Sequence, residues 1–153
     1  MIHTATAADI ALLPELEDAS DSMFTDVVFP PGSIFDELGD EHTVLVAGDP
    51  PIGFAVFGPL GDHLHLHQLS VHPDHGRRGV GSALLAATVE GAAAPFTLTT
   101  FEHIPWNMPW YLARGWDRFP REEWGAELAA QVEAERVAGL DDLGARVVLR
   151  RTP

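Results

Sequence analysis

The chain has 153 residues, near the usual size of one domain, and its 46% hydrophobic and 21% charged residues are an ordinary globular composition. Nine Lys and Arg stand against 23 Asp and Glu, a formal charge of -14 that repels phosphodiester backbones, argues against nucleic acid as a partner and suits small cationic ligands such as amines. Cysteine is absent, which removes disulfides, thiolate metal sites and a cysteine-linked acyl intermediate.

Met1 to Phe24 has no basic segment followed by a long apolar run, so a soluble cytoplasmic protein without membrane attachment is expected. Ile2 to Thr6 reads as a short strand. Ala7 to Met23 has the helical apolar spacing Ile10, Leu13, Leu16, with Pro14 tolerated near a first turn. Phe24 to Leu38 is aromatic and proline-rich, with Phe24, Phe29, Phe35, Pro30 and Pro31, and reads as a loop. Thr43 to Ala47 and Ile52 to Phe57 flank the turn signal Gly48-Asp49-Pro50-Pro51 and predict an antiparallel hairpin, followed by a second turn over Gly58 to Asp62.

In His63 to Val71 the residues Leu64, His65, Leu66, His67, Leu69 and Val71 occupy both faces, which predicts a central strand. Val80, Leu84, Leu85, Thr88 and Val89 predict an amphipathic helix ending near Gly91, and Phe96 to Phe101 the next core strand. A right-handed crossover makes that strand parallel to His63–Val71. Trp106 to Arg114 and Glu127 to Ala138 suit helices bounded by Gly115 and Gly139, and Ala145 to Arg150 a half-exposed final strand. The expected fold is α/β (α+β): one domain over 1–153, a mixed, mostly antiparallel sheet flanked by helices.

Three segments carry chemistry. Arg77-Arg78-Gly79-Val80-Gly81-Ser82 joins a strand to a helix start, where glycines turn the backbone N–H groups outward and two arginines add cations, an arrangement suited to a pyrophosphate. It lacks the Gly-Lys-Ser/Thr of a Walker loop and the third glycine of the dinucleotide fingerprint. His63-Leu64-His65-Leu66-His67 sets three imidazoles on one strand face, open to three readings: a proton relay, a zinc site or a structural cluster. Pro109-Trp110-Tyr111 to Gly115-Trp116 contains the sole tyrosine of the chain, either packed among tryptophans or reactive. Ser82 is not in a Gly-x-Ser-x-Gly elbow, and Glu122-Glu123 and Asp141-Asp142 read as solvated pairs.

With Val71-His72-Pro73 before it, the glycine segment resembles the acyl-CoA motif Gln/Arg-x-x-Gly-x-Gly/Ala of the GCN5-related N-acetyltransferases (GNAT). Gly79 and Gly81 fit, Gly76 stands where the family has Gln or Arg, and Arg77 is adjacent. The resemblance implies acetyl-CoA as co-substrate, held by Leu69, Ser70, Val71, Gly76, Arg77, Arg78, Gly79, Val80, Gly81, Ser82 and the amide of Asn107. It also implies that the strands His63–Val71 and Phe96–Phe101 splay apart around the pantetheine. His65 to His72 is similar to the matching strand of arylalkylamine N-acetyltransferases, which implies His65 and His67 as a general base acting through water. The position of Tyr111 implies a phenol that protonates the departing thiolate, with a main-chain N–H near Leu69 meeting the oxyanion.

The expected reaction is direct transfer of acetyl to the primary amine of a small molecule, aromatic or apolar in body, received over Phe24, Phe29, Phe35, Trp106 and Trp110. No resident metal is expected, and a homodimer is compatible with the family. The alternative is a non-catalytic acyl-CoA-binding or His-cluster metal-binding module.

Overall fold

The computed structural model describes residues 1–24, 29 and 32–153. In chain order the strands are β1 (Ile2–Thr4), β2 (Thr43–Ala47), β3 (Gly53–Leu60), β4 (His63–Val71), β5 (Phe96–Phe101), β6 (Asp117–Arg118) and β7 (Arg146–Arg151). The helices are α1 (Ala7–Asp21), α2 (Val80–Val89), α3 (Met108–Leu112) and α4 (Ala126–Val137). The strands form one mixed sheet in the order β1-β2-β3-β4-β5-β7-β6. The pairs β1–β2, β2–β3, β5–β7 and β6–β7 are antiparallel, and β4–β5 is parallel, as a connection through a helix requires. By contacts the described chain divides into two compact units, residues 1–24, 32–58 and 66–91 in the first and 29, 59–65 and 92–153 in the second.

In the first unit α1 starts on a reciprocal cap. Thr6 Oγ1 accepts the Asp9 N–H at 3.1 Å, and Asp9 Oδ2 accepts the Thr6 N–H at 2.9 Å and lies 3.0 Å from His3 Nε2. The backbone bond from Thr6 first, then His3, holds the Asp9 carboxyl below its ordinary range. Leu13 and Leu16 turn inward onto Val44, Val46, Phe54 and Val56, and Ile10 packs beside them. Helix α2 comes so near the sheet that a Cβ on Gly53 would stand 3.0 Å from Leu84 Cδ1 and from the Ser70 carbonyl, and 3.2 Å from Val80 Cγ1. Glycine in β3 therefore sets how closely the start of α2 packs on the sheet.

In the second unit the parallel register matches Leu64 with Phe96 and His65 with Thr97. β5 then pairs along its whole length with β7, from Phe96 with Arg151 to Phe101 with Arg146. Phe119, Leu128 and Val148 form its apolar cluster with Leu60, Trp124 and Val132. Glu135 of α4 fastens that helix to the sheet: its Oε1 accepts from Thr99 Oγ1 at 2.6 Å and from Arg146 at 2.7 Å.

Most expected elements are found, with four differences. β3 continues through Gly58 and Pro59 to Leu60, so the second turn shrinks to Gly61-Asp62; Pro59 is exposed, where its missing N–H is tolerated. Pro14 is the eighth residue of α1 rather than part of its first turn, and lies on the exposed side, where water can meet the carbonyl it leaves without a helical donor. β6 is too short to show periodicity. The last strand is not half-exposed: β7 lies between β5 and β6, and Val148 and Leu149 are both buried. Among the described residues no helix is long and apolar enough to cross a membrane.

Helix α1 ends on Glu17, Asp18 and Asp21 with no basic residue in its last turn, opposite to what the helix dipole favours. Burial, then Glu17 and Asp18, push the Asp21 carboxyl up to about 6 from 3.8. Its folded pKa exceeds its unfolded one, so the native state binds the extra proton between those values, and stability falls as pH rises through that window. Asp21→Asn is therefore expected to stabilise the fold at pH 7.5 by about 1 kcal/mol, a figure reduced for partial solvent screening, and to add nothing below about pH 4. Urea denaturation at the two pH values checks this; equal changes at both would remove charge as the cause.

Candidate active site

Beyond Val71 the chain makes one 3-10 turn, Pro73–His75, capped where His72 Nδ1 accepts the Asp74 N–H at 3.1 Å. Gly76 is extended, whereas Arg77 (φ 63°) and Gly79 (φ 80°) are left-handed, and Arg77 is the non-glycine residue for which that conformation is recorded among the described residues. Holding an arginine there costs about 1–2 kcal/mol. A Cβ on Gly79 would meet nothing within 4 Å, so its backbone angle and not crowding requires glycine. Gly79 is also the N-cap of α2 and accepts the Ala83 N–H at 2.9 Å, yet no side chain caps the helix. Val80, Gly81 and Ser82 are its first turn, so Gly81 is an ordinary helical residue.

Arg77 and Arg78 are exposed beside this helix start, with Arg78 Nη1 3.5 Å from His75 Nδ1. Two cations, two left-handed residues and an uncapped helix end are a donor set that fits a pyrophosphate. Upstream on β4, Leu69 and Val71 are half-buried, and buried Ser70 accepts from Gln68 Nε2 at 3.2 Å.

The histidines of β4 have three different surroundings. His63 is partly buried, its Nε2 lacks a hydrogen-bond partner, and desolvation, outweighing Asp62 and Glu127, lowers its pKa, so it is neutral at neutral pH. His65 is 1% exposed, and its Nδ1 lies 2.8 Å from Oγ1 of the fully buried Thr97. His67 is half-buried, and its ring meets that of His42 edge-on, with centroids 5.0 Å apart. His42 Nδ1 in turn accepts the Gly39 N–H at 2.8 Å. Among the described residues no three His, Asp or Glu side chains are placed to hold a metal ion.

In the second unit Asn107 precedes α3. Its Oδ1 accepts from the Thr100 hydroxyl and, at 3.4 Å, from the Phe101 N–H, which commits half of the amide to fastening the helix start to β5. One turn on, Tyr111 is buried between Trp110 and Trp116, with ring centroids at 5.0 and 5.6 Å. Burial pushes its phenol well above the ordinary value, so it stays protonated at any physiological pH.

The aromatic residues expected to receive a substrate belong to both compact units. Phe35 packs at 5.1 Å on Phe54 and belongs with the core of the first unit, where half-buried Phe24 also lies. Phe29, 6.4 Å from Phe101, belongs to the second unit with Trp106, which is 39% exposed, and Trp110, which carries the Arg114 guanidinium 3.9 Å above its ring. The other members of the proline-rich segment, residues 25–28, 30 and 31, lie outside the described residues. Sequence reading missed His42 and Thr97. Both become visible once the pairing of β2 with β3 and of β4 with β5 is known.

The profile of the Acetyltransferase (GNAT) family matches residues 10–116. The chain belongs to that family. A mycothiol acetyltransferase of Parafrankia sp. (strain EAN1pec) is 34% identical over 101 residues, which is 65% of this chain and 30% of that relative. The chain thus spans under a third of the length of this curated relative. A ribosomal-protein-alanine N-acetyltransferase from Escherichia coli superposes with a TM-score of 0.69 at 17% identity, over 99% of this chain and 92% of the other. The PaiA N-acetyltransferase of Thermoplasma acidophilum, solved with coenzyme A, gives a TM-score of 0.68 at 12% identity over 100% and 98%. These two likenesses establish the GNAT fold along the whole chain, and acetyl-CoA is the acetyl donor of the family.

A side chain at Gly79 would be strained at its left-handed angle and would move the N–H groups before α2. Gly79→Val is expected to weaken acetyl-CoA binding about tenfold, about 1.4 kcal/mol, as measured by calorimetry. Unchanged affinity in a folded variant would place the pyrophosphate elsewhere.

Proposed function

We propose that the chain is an N-acetyltransferase that moves acetyl from acetyl-CoA directly to the primary amine of a small molecule. The observation that carries this reading is the uncapped start of α2 preceded by left-handed Arg77 and Gly79, a cationic cradle in a chain whose net charge is -14. The same charge supports a cationic acceptor over an anionic one. Trp106 and Trp110 support an apolar or aromatic body for that amine.

The bound donor supplies a thioester carbonyl and a thiolate leaving group. Arg77, Arg78 and the N–H groups at the start of α2 bind its diphosphate, and the remaining Nδ2 of Asn107 is available for an amide carbonyl. An alkylammonium with a pKa near 10.4, roughly that of Lys, must lose a proton before its nitrogen can attack. His67 accepts that proton better than His65, because a half-buried imidazolium keeps some hydration, whereas one as buried as His65 loses nearly all of it. His65 then acts as a strand anchor through Thr97. Burial keeps the Tyr111 phenol protonated, so its Oη–H is available to the developing negative charge of the departing thiolate, as a hydrogen-bond donor or as the proton itself.

Removal of such a donor costs about 10²-fold or more in turnover with little change in binding. Tyr111→Phe is expected to show that loss in kcat with an unchanged acetyl-CoA KM, measured by thiol release over a panel of phenethylamine-like amines, polyamines and peptide N-termini. Turnover of peptides over small amines would redirect the reading to a protein acceptor, and equal kcat in the variant would return Tyr111 to packing.

A further inference from the structure

His42 stands just before β2 and takes no part in the reading above, yet the fold prepares a place for it. The β2–β3 register matches Thr43 with Phe57, so the next position along the hairpin sets His42 against Gly58. A Cβ on Gly58 would lie 3.1 Å from His42 Cδ2 and 3.1 Å from the Glu41 carbonyl. Gly58 is not among the residues of positive φ, so its backbone angle does not require glycine; the space does. The bare backbone of β3 lets the imidazole of His42 lie across that strand. The next strand in the sheet is β4, and there the ring of His67 meets it at 5.0 Å and 83°.

We propose that His42 is a positioning residue for proton transfer at His67, an inference that rests on the acetyltransferase reading. The Gly39 N–H occupies the Nδ1 lone pair of His42 at 2.8 Å, which sets the ring proton of its neutral form on Nε2. The side chain of His42 is 12% exposed, so the ring is held firmly against His67. That contact orients the His67 ring edge-on and limits its rotation while it exchanges a proton with the acceptor amine.

The test uses the whole chain and reads ring nitrogens by long-range proton–nitrogen NMR through a pH titration, with His67 assigned by His67→Gln. His42→Asn keeps an acceptor for the Gly39 N–H and removes the ring, whereas Gly58→Ala keeps the ring and displaces it. Both are expected to move the His67 titration and to lower kcat about tenfold with the acetyl-CoA KM unchanged. An unmoved His67 titration in either folded variant of an active protein would overturn the inference. A wild-type protein inactive on every amine, with the His67 titration still displaced by both variants, would instead overturn the acetyltransferase reading and leave the contact standing.

Discussion

The parallel junction of β4 and β5 is the constraint on which the remaining arrangement depends. Its register is carried by two pairs, Leu64 with Phe96 and His65 with Thr97, and the second is reinforced by a side-chain hydrogen bond of 2.8 Å between two buried polar groups. Neither group could be buried alone without a penalty of about 1–3 kcal/mol, so each stabilises the other's presence. From this junction β4 continues to the arginine-bearing loop and the start of α2, while β5 continues to Thr100, which holds Asn107 before Tyr111. Thr97→Val would remove the partner and leave the His65 nitrogen to find another, so the pair carries strand register in polar form.

Charge is distributed against local preference at two places. The acidic residues at the end of α1 oppose the helix dipole, and burial, then Glu17 and Asp18, raise the pKa of Asp21. The two arginines of the loop before α2 are cations placed at a helix N-terminus, the end that favours anions, and one of them is held left-handed. A sequence selected for stability alone would avoid both. An anion bound at this helix start would remove the second mismatch, because its charge answers both the arginines and the helix end.

Much of this was legible in the chain itself. Apolar periodicity placed α1, α2, β2, β4 and β5 nearly to the residue, because each has a buried face that its own spacing reveals. What stayed hidden depends on partners distant in sequence. β6 has two residues and exists because β7 is there to pair with it; β7 looked half-exposed because Arg146 and Arg150 alternate along it, although their aliphatic stems let a charged residue sit in an interior strand. Arg146 lies over Phe101 and Arg150 over Phe119, contacts that no periodicity encodes. His42, Gly58 and Thr97 escaped for the same reason: a histidine before a strand, a glycine within one and a threonine in a β-branched run are unremarkable until the register places them beside β4.

The same register gives different surroundings to two histidines that the sequence left equivalent. His-x-His at period two puts both rings on one face, and spacing alone makes them equivalent. Burial makes them unequal, because an imidazole that must gain a charge needs water or a carboxylate nearby, and His65 is surrounded by β4 and β5 with Thr97 on its nitrogen. A ring buried on a hydrogen-bond partner is a good anchor. His67 is half-buried, and its ring meets that of His42, which is seated over Gly58. One strand can therefore give the same residue type two surroundings, one buried and tied to the neighbouring strand and one partly open, with the distinction made by what the adjacent strands present rather than by the histidines themselves.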